Sequence, residues 1–97
     1  MANFTVSGSV ARFPQAGGWY YVPVSTKISS ELQVFADRGL IPIKISLGDQ
    51  EWSSSLLPMG DGTHFISLPA KVRKAEAIAV GAKVQIEFEL DMKRINK

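Results

Sequence analysis

Between Gly62 and Asp91 the chain reads GTHFISLPAKVRKAEAIAVGAKVQIEFELD: a short apolar strand, a proline, a basic helix, a glycine and a strand of strict alternation. Much of that order occurs once before, from Gly18 to Leu47. One constant offset sets Gly18 on Gly62, Tyr21 on Phe65, Val22 on Ile66, Val24 on Leu68, Lys27 on Lys71 and Ile28 on Val72. Gly39 matches Gly81 with a small slip in the loop. Two such units about a pseudo-twofold axis close a barrel and remove free sheet edges. Two unrelated hairpins with similar turns would give the same order without that closure.

The remaining segments fit the barrel. Phe4, Val6, Gly8 and Val10 alternate with polar or small residues, the period of a half-buried strand. Turn residues from Phe13 to Gly18 precede an aromatic, β-branched strand over Trp19–Val24, which Pro23 confines to an edge or ends. Ile28, Leu32, Phe35 and Ala36 lie on one helical face, with Ser25 or Ser29 as cap and Gly39 at the C′ position. Ile41, Ile43, Ile45 and Leu47 alternate as a strand, Gly48-Asp49 turns the chain, and a shorter strand covers Trp52–Leu56. His64, Ile66 and Leu68 point one way on the next strand and Phe65 the other. Pro69 opens a second helix whose inner face carries Val72, Ala75 and Ala79, with Gly81 at its end. Val84, Ile86, Phe88 and Leu90 alternate in the clearest strand, and Met92–Lys97 reads as a frayed basic tail. The whole, residues 1–97, is one domain: a mostly-β, pseudo-symmetric barrel with two short helices.

Composition narrows the function classes. No apolar run reaches the roughly 18 residues of a membrane span, and the N-terminus lacks a secretory pattern. The chain has no cysteine, which removes thiolate chemistry and fits a reducing cytoplasm. The net charge of +2 is small, but the excess of Lys and Arg lies beyond residue 70. Attraction to phosphate backbones scales with the charges neutralised, so this is a weak nucleic-acid signature.

His64 is the only histidine, too few for a metal site that needs three or four ligands, and no metal or other cofactor is expected. The chain contains neither a nucleophile elbow nor a phosphate-binding glycine loop, and Gly60-Asp61-Gly62 reads as a turn. An enzyme would need a carboxylate such as Asp61 or Asp91 with a raised pKa in a cleft. Trp19, with Tyr20 and Tyr21, offers an aromatic platform or a cap on the barrel, and Trp52 is a second candidate. Lys71, Arg73 and Lys74 crowd the first turns of the second helix, where positive charge opposes the macrodipole. That placement points to binding, since stability alone favours acidic residues there. Arg73 can pair bidentately with phosphate or carboxylate; its competing role is an internal ion pair with Asp91 or Glu89.

Two resemblances follow. Ile66, Leu68, Pro69, Val72, Arg73, Gly81, Val84 and Ile86 follow an order similar to AbrB/MazE-like swapped-hairpin domains. That similarity implies a DNA-binding regulator or antitoxin, although such proteins build the barrel from two chains. Over its full length the chain resembles a small bacterial and archaeal family of domains of unknown function with a double-split β-barrel. Phe4, Gly8, Trp19, Tyr21-Val22, Trp52, Ser55-Leu56, Pro58-x-Gly60-Asp61-Gly62, His64-Phe65, Arg73-Lys74-Ala75, Gly81, Val84 and Asp91 carry this resemblance. It departs at Pro23-Val24, where the family has a leucine-proline pair. Members stand alone or fused to a YdeI/OmpD-associated, bacteriocin-protection-type domain, and no activity comes with the resemblance. The function expected is a non-enzymatic binding or accessory module, monomeric or weakly dimeric. It would take a small acidic ligand or a partner protein at Trp19, Lys71, Arg73 and Lys74.

Overall fold

The computed structural model describes residues 3–14 and 18–95. The middle of the turn after Phe13 (residues 15–17) and the last two tail residues lie outside them. Seven antiparallel strands and two helices follow one another: β1 Phe4–Ser9, β2 Ala11–Arg12, β3 Tyr20–Pro23, α1 Thr26–Leu32, β4 Ile41–Leu47, β5 Gln50–Pro58, β6 His64–Ser67, α2 Ala70–Ala75 and β7 Lys83–Leu90. The spatial order is β1-β7-β4-β5-β6-β3-β2. Its two ends are one run of chain, because β1 continues into β2 through a bend at Val10. Buried Val10 holds that bend: its N–H donates to the Ala82 carbonyl and its own carbonyl accepts from Gly81. β1 pairs with β7, Val6 opposite Ile86, while β2 pairs with β3, Ala11 opposite Tyr21. The sheet thereby returns on itself as a nearly closed barrel.

The two segments aligned in the sequence lie against each other. β3 pairs with β6, Val22 opposite Ile66, and β4 pairs with β7, Ile45 opposite Phe88. A pseudo-twofold arrangement requires this pairing of like with like. Ile41, Ile43, Ile45, Leu56, Ile66 and Ile86 are at most 1% exposed and fill the interior. Burial of that many branched side chains, about 1.5–3 kcal/mol each, drives closure. The Ile66, Leu68, Val72 and Ile86 positions of the AbrB-like order all lie in this core.

Both helices stop earlier than the periodicity predicts. α1 is capped by Ser25, whose hydroxyl accepts from the Ile28 N–H at 3.2 Å, while Ser29 is buried. It ends at Leu32, and Gln33–Phe35 tighten into a 3-10 turn, so Gly39 is not its C′ residue. Gly39, with φ 82°, instead shapes a tight turn in which Asp37 and Leu40 exchange backbone hydrogen bonds. Pro69 is the N-cap of α2 rather than its first residue. α2 ends at Ala75 in a Schellman motif: Ile78 N–H donates to the Arg73 carbonyl at 2.8 Å, and Ala77 N–H donates to that of Lys74. Ala77 takes the left-handed position, with φ 54°, that Gly81 was expected to hold four residues later. Of the expected inner face only Val72 is buried; Ala75 and Ala79 are exposed, and half-buried Ile78 packs on the core instead.

β5 is longer than expected. It runs along β4 from Gln50 and then pairs with β6 through Leu57 and Pro58, joining the two halves of the barrel. No helix among the described residues is long and apolar enough to cross a membrane.

Candidate functional site

Strand alternation sends Tyr21 and Phe65 outward where Val22 and Ile66 point to the core. An outward Phe65 would be exposed, yet it is 6% exposed because other rings cover it. Phe13 stacks on Tyr21 with centroids 4.1 Å apart, and Phe65 meets both edge-on at 5.2 and 5.5 Å. Trp19 tilts over Phe65 at 6.5 Å and stays 56% exposed. Trp52, the other candidate platform, is half-buried and packs against the core.

Trp19 forms one wall of a cleft of about 340 Å³, with Gly18, Tyr20, Ser67, Leu68, Pro69, Ala70 and Arg73 as the remainder. That volume is at the small end of ligand pockets. Arg73 is the only charged side chain in the lining, and it is held in place. Its Nε donates to the Leu68 carbonyl at 3.1 Å, and its guanidinium carbon lies 3.7 Å from the Tyr20 ring centroid. The Leu68 N–H in turn donates to the Tyr20 carbonyl, so β3, the end of β6 and α2 together fix this geometry. No other hydrogen bond from the Arg73 side chain occurs among the described residues. Its outer nitrogens are left with donors suited to an oxyanion.

Of the four residues singled out from sequence, the cleft brings together Trp19 and Arg73. Lys71 and Lys74 are exposed and do not line it. The dipole argument that drew attention to the basic cluster holds only for Lys71, in the first turn of α2. α2 has six residues, so Arg73 and Lys74 occupy its last turn, where positive charge is favourable.

The internal ion pair foreseen for Arg73 is also absent. The single ion pair among the described residues joins Asp91 to Arg94, with Nε 2.7 Å from Oδ2. Arg94 lies in the segment expected to fray, yet its Nη2 donates to the Ile43 carbonyl at 2.9 Å and to that of Ser54. Ile43 and Ser54 are cross-strand neighbours in β4 and β5, so Arg94 ties the segment after β7 to both strands. The hydrogen bond from Arg94 lowers the pKa of Asp91, burial opposes it, and the charges of Arg94 and Lys44 add to the lowering.

Asp61 is likewise lowered, by the Thr63 hydroxyl and then the Thr63 N–H, within the turn foreseen for it. Both carboxylates therefore move opposite to the raised value an acid–base role would need. His64 is 2% exposed; burial lowers its pKa, partly offset by a hydrogen bond with the Gly39 backbone. Among the described residues no group of three acidic or histidine side chains converges as a metal site.

Sequence reasoning missed Arg12. It pairs with Tyr20 across β2 and β3, and its guanidinium carbon lies 5.8 Å from the same ring that carries Arg73. The signal available was the strand register, which the sequence leaves open across the turn.

Comparison with known families finds a matching model over residues 7–88, most of the chain: "Domain of unknown function (DUF1905)". No curated protein matches.

Proposed function

The chain belongs to the DUF1905 family of domains of unknown function, and we propose that it is a binding module for an anionic ligand with an apolar or planar body. The carrying observation is Arg73. A ring and a carbonyl hold its guanidinium at the wall of a mostly apolar cleft, and its outer nitrogens have no partner among the described residues. An arginine ordered in advance loses little further entropy on binding, so its two remaining N–H pairs can engage a carboxylate or phosphate bidentately. Exposed Trp19 faces the same space and supplies area for the body of the ligand. The resemblance to barrels that stand alone or beside a YdeI/OmpD-associated domain supports an accessory role of this kind.

The test is a titration of ¹⁵N-labelled protein with benzoate and phenyl phosphate, using neutral benzamide as control. The anions are expected to shift the Trp19 indole and Arg73 Nε–H resonances, and benzamide is not. Trp19→Ala and Arg73→Lys should each weaken binding, the second by removing the planar fork while keeping the charge. If neither anion moves the Trp19 resonance at millimolar concentration, the reading fails.

A further inference from the structure

Tyr20 carries two arginines. The guanidinium carbon of Arg73 lies 3.7 Å from its ring centroid and that of Arg12 lies 5.8 Å from it. The two carbons are therefore within about 10 Å of each other, no farther than one screening length in 0.1 M salt, so their fields add at a common anion. Neither has an acidic partner: the single ion pair among the described residues is Asp91–Arg94. Two like charges on one ring repel, so stacking alone gives no reason for the second. Arg12 is exposed and stands outside the lining of the cleft, joined to it through the Tyr20 ring that both arginines meet.

We infer that Arg12 and Arg73 form a two-point clamp for a dianion, and that the ligand of the cleft is a phosphate monoester on a planar body that stacks on Trp19. This rests on the reading of the cleft as an anion site and adds the class of anion. One guanidinium satisfies a carboxylate, whereas a phosphate monoester presents three oxygens and close to two negative charges at neutral pH. The cleft, at about 340 Å³, has room for a planar body of one or two rings, which leaves the phosphate at its mouth.

Phenyl phosphate and benzoate share a ring and differ in the anion, which makes them the deciding pair. Calorimetric titration at pH 7.5 is expected to show phenyl phosphate binding at least about tenfold tighter. Arg12→Ala should erase that difference and leave benzoate affinity unchanged, while Arg12→Lys restores part of it. Lowering the pH to 5.5 leaves about a quarter of the phosphate as dianion, since its second pKa is about 6, and should cut its advantage about fourfold; benzoate stays ionised. Equal affinity for the two anions, a phosphate preference that survives Arg12→Ala, or one unchanged between pH 7.5 and pH 5.5, overturns the clamp while leaving the anion site standing. Failure of both anions to bind removes the site and the clamp together. Adenosine monophosphate, as a larger planar phosphate, should compete with phenyl phosphate. A short oligonucleotide that outcompetes it by more than tenfold would reassign the surface to nucleic acid and overturn the proposal.

Discussion

Arg73 and Arg94 come from the same basic third of the chain, and each is held to a backbone carbonyl, yet they do opposite things. Arg94 spends its donors inside the protein, on the buried Asp91 carboxylate and on carbonyls of β4 and β5. Arg73 spends one donor on Leu68 and rests its plane on Tyr20, leaving its outer nitrogens toward a cleft. The difference shows that charge and neighbouring sequence do not assign an arginine its role. What assigns it is how many of its five N–H groups already have partners.

The comparison breaks most readily at Arg94. Arg94→Met keeps much of the apolar stem but leaves Asp91 without its partner in a buried position, and should lower the melting midpoint by roughly 10 °C at pH 7. The acid limb gives the matching sign. Asp91 has its pKa lowered from the usual 3.8 in the folded protein, so the stability it contributes is present above pH 3.8 and is lost as pH falls through the folded value. In Arg94→Met the largest cause of that lowering is gone, and the midpoint should fall less between pH 5 and pH 2 than it does in the parent. Asp61 shifts in the same direction but is the same in both proteins, so the difference isolates Asp91. Parallel acid limbs would show that Arg94 does not act through Asp91.

Arg73→Ala removes one hydrogen bond to a carbonyl and one ring contact, together about 1 kcal/mol or roughly 5 °C. Arg73→Lys should recover part of that, because the charge can stay over Tyr20. A loss from Arg73→Ala as large as that from Arg94→Met would erase the distinction between the two sites and make Arg73 structural.

The smallest effect is a gain. Ala77 ends α2 with φ 54°, a conformation that costs an L-residue about 1–2 kcal/mol and glycine almost nothing. Glycine loses more freedom on folding, so Ala77→Gly should stabilise by a net of about 0.5–1 kcal/mol, read as a midpoint higher by a few degrees. No change would mean that α2, and with it the position of Arg73, ends differently.

Local pattern carried the strands well. Ile41–Leu47 and Val84–Leu90 alternate without interruption, and each proved to bury its apolar set, fully in β4 and in part in β7. Helix ends were read poorly, because both were placed at glycines. In α1 the backbone tightens at Gln33 ahead of the Asp37–Leu40 turn, and in α2 a left-handed alanine intervenes. The shortening of α2 placed Arg73 and Lys74 in its last turn and left the dipole argument to Lys71 alone, while Arg73 kept its place in the cleft for a reason the sequence does not contain. Arg12 was overlooked because a two-residue strand has no periodicity to detect.

From its sequence alone, then, this chain is a mostly-β barrel with two short helices, since alternation, prolines and glycines act over a few residues and leave their mark locally. Which arginine ties the segment after β7 to β4 and β5 and which faces a cleft was decided only in three dimensions. Tyr20 meets Arg12 and Arg73, and Arg94 meets Ile43 and Ser54, through contacts that span up to 53 positions of chain. Only closure of the sheet brings such partners within reach of one another, and no local rule encodes that distance.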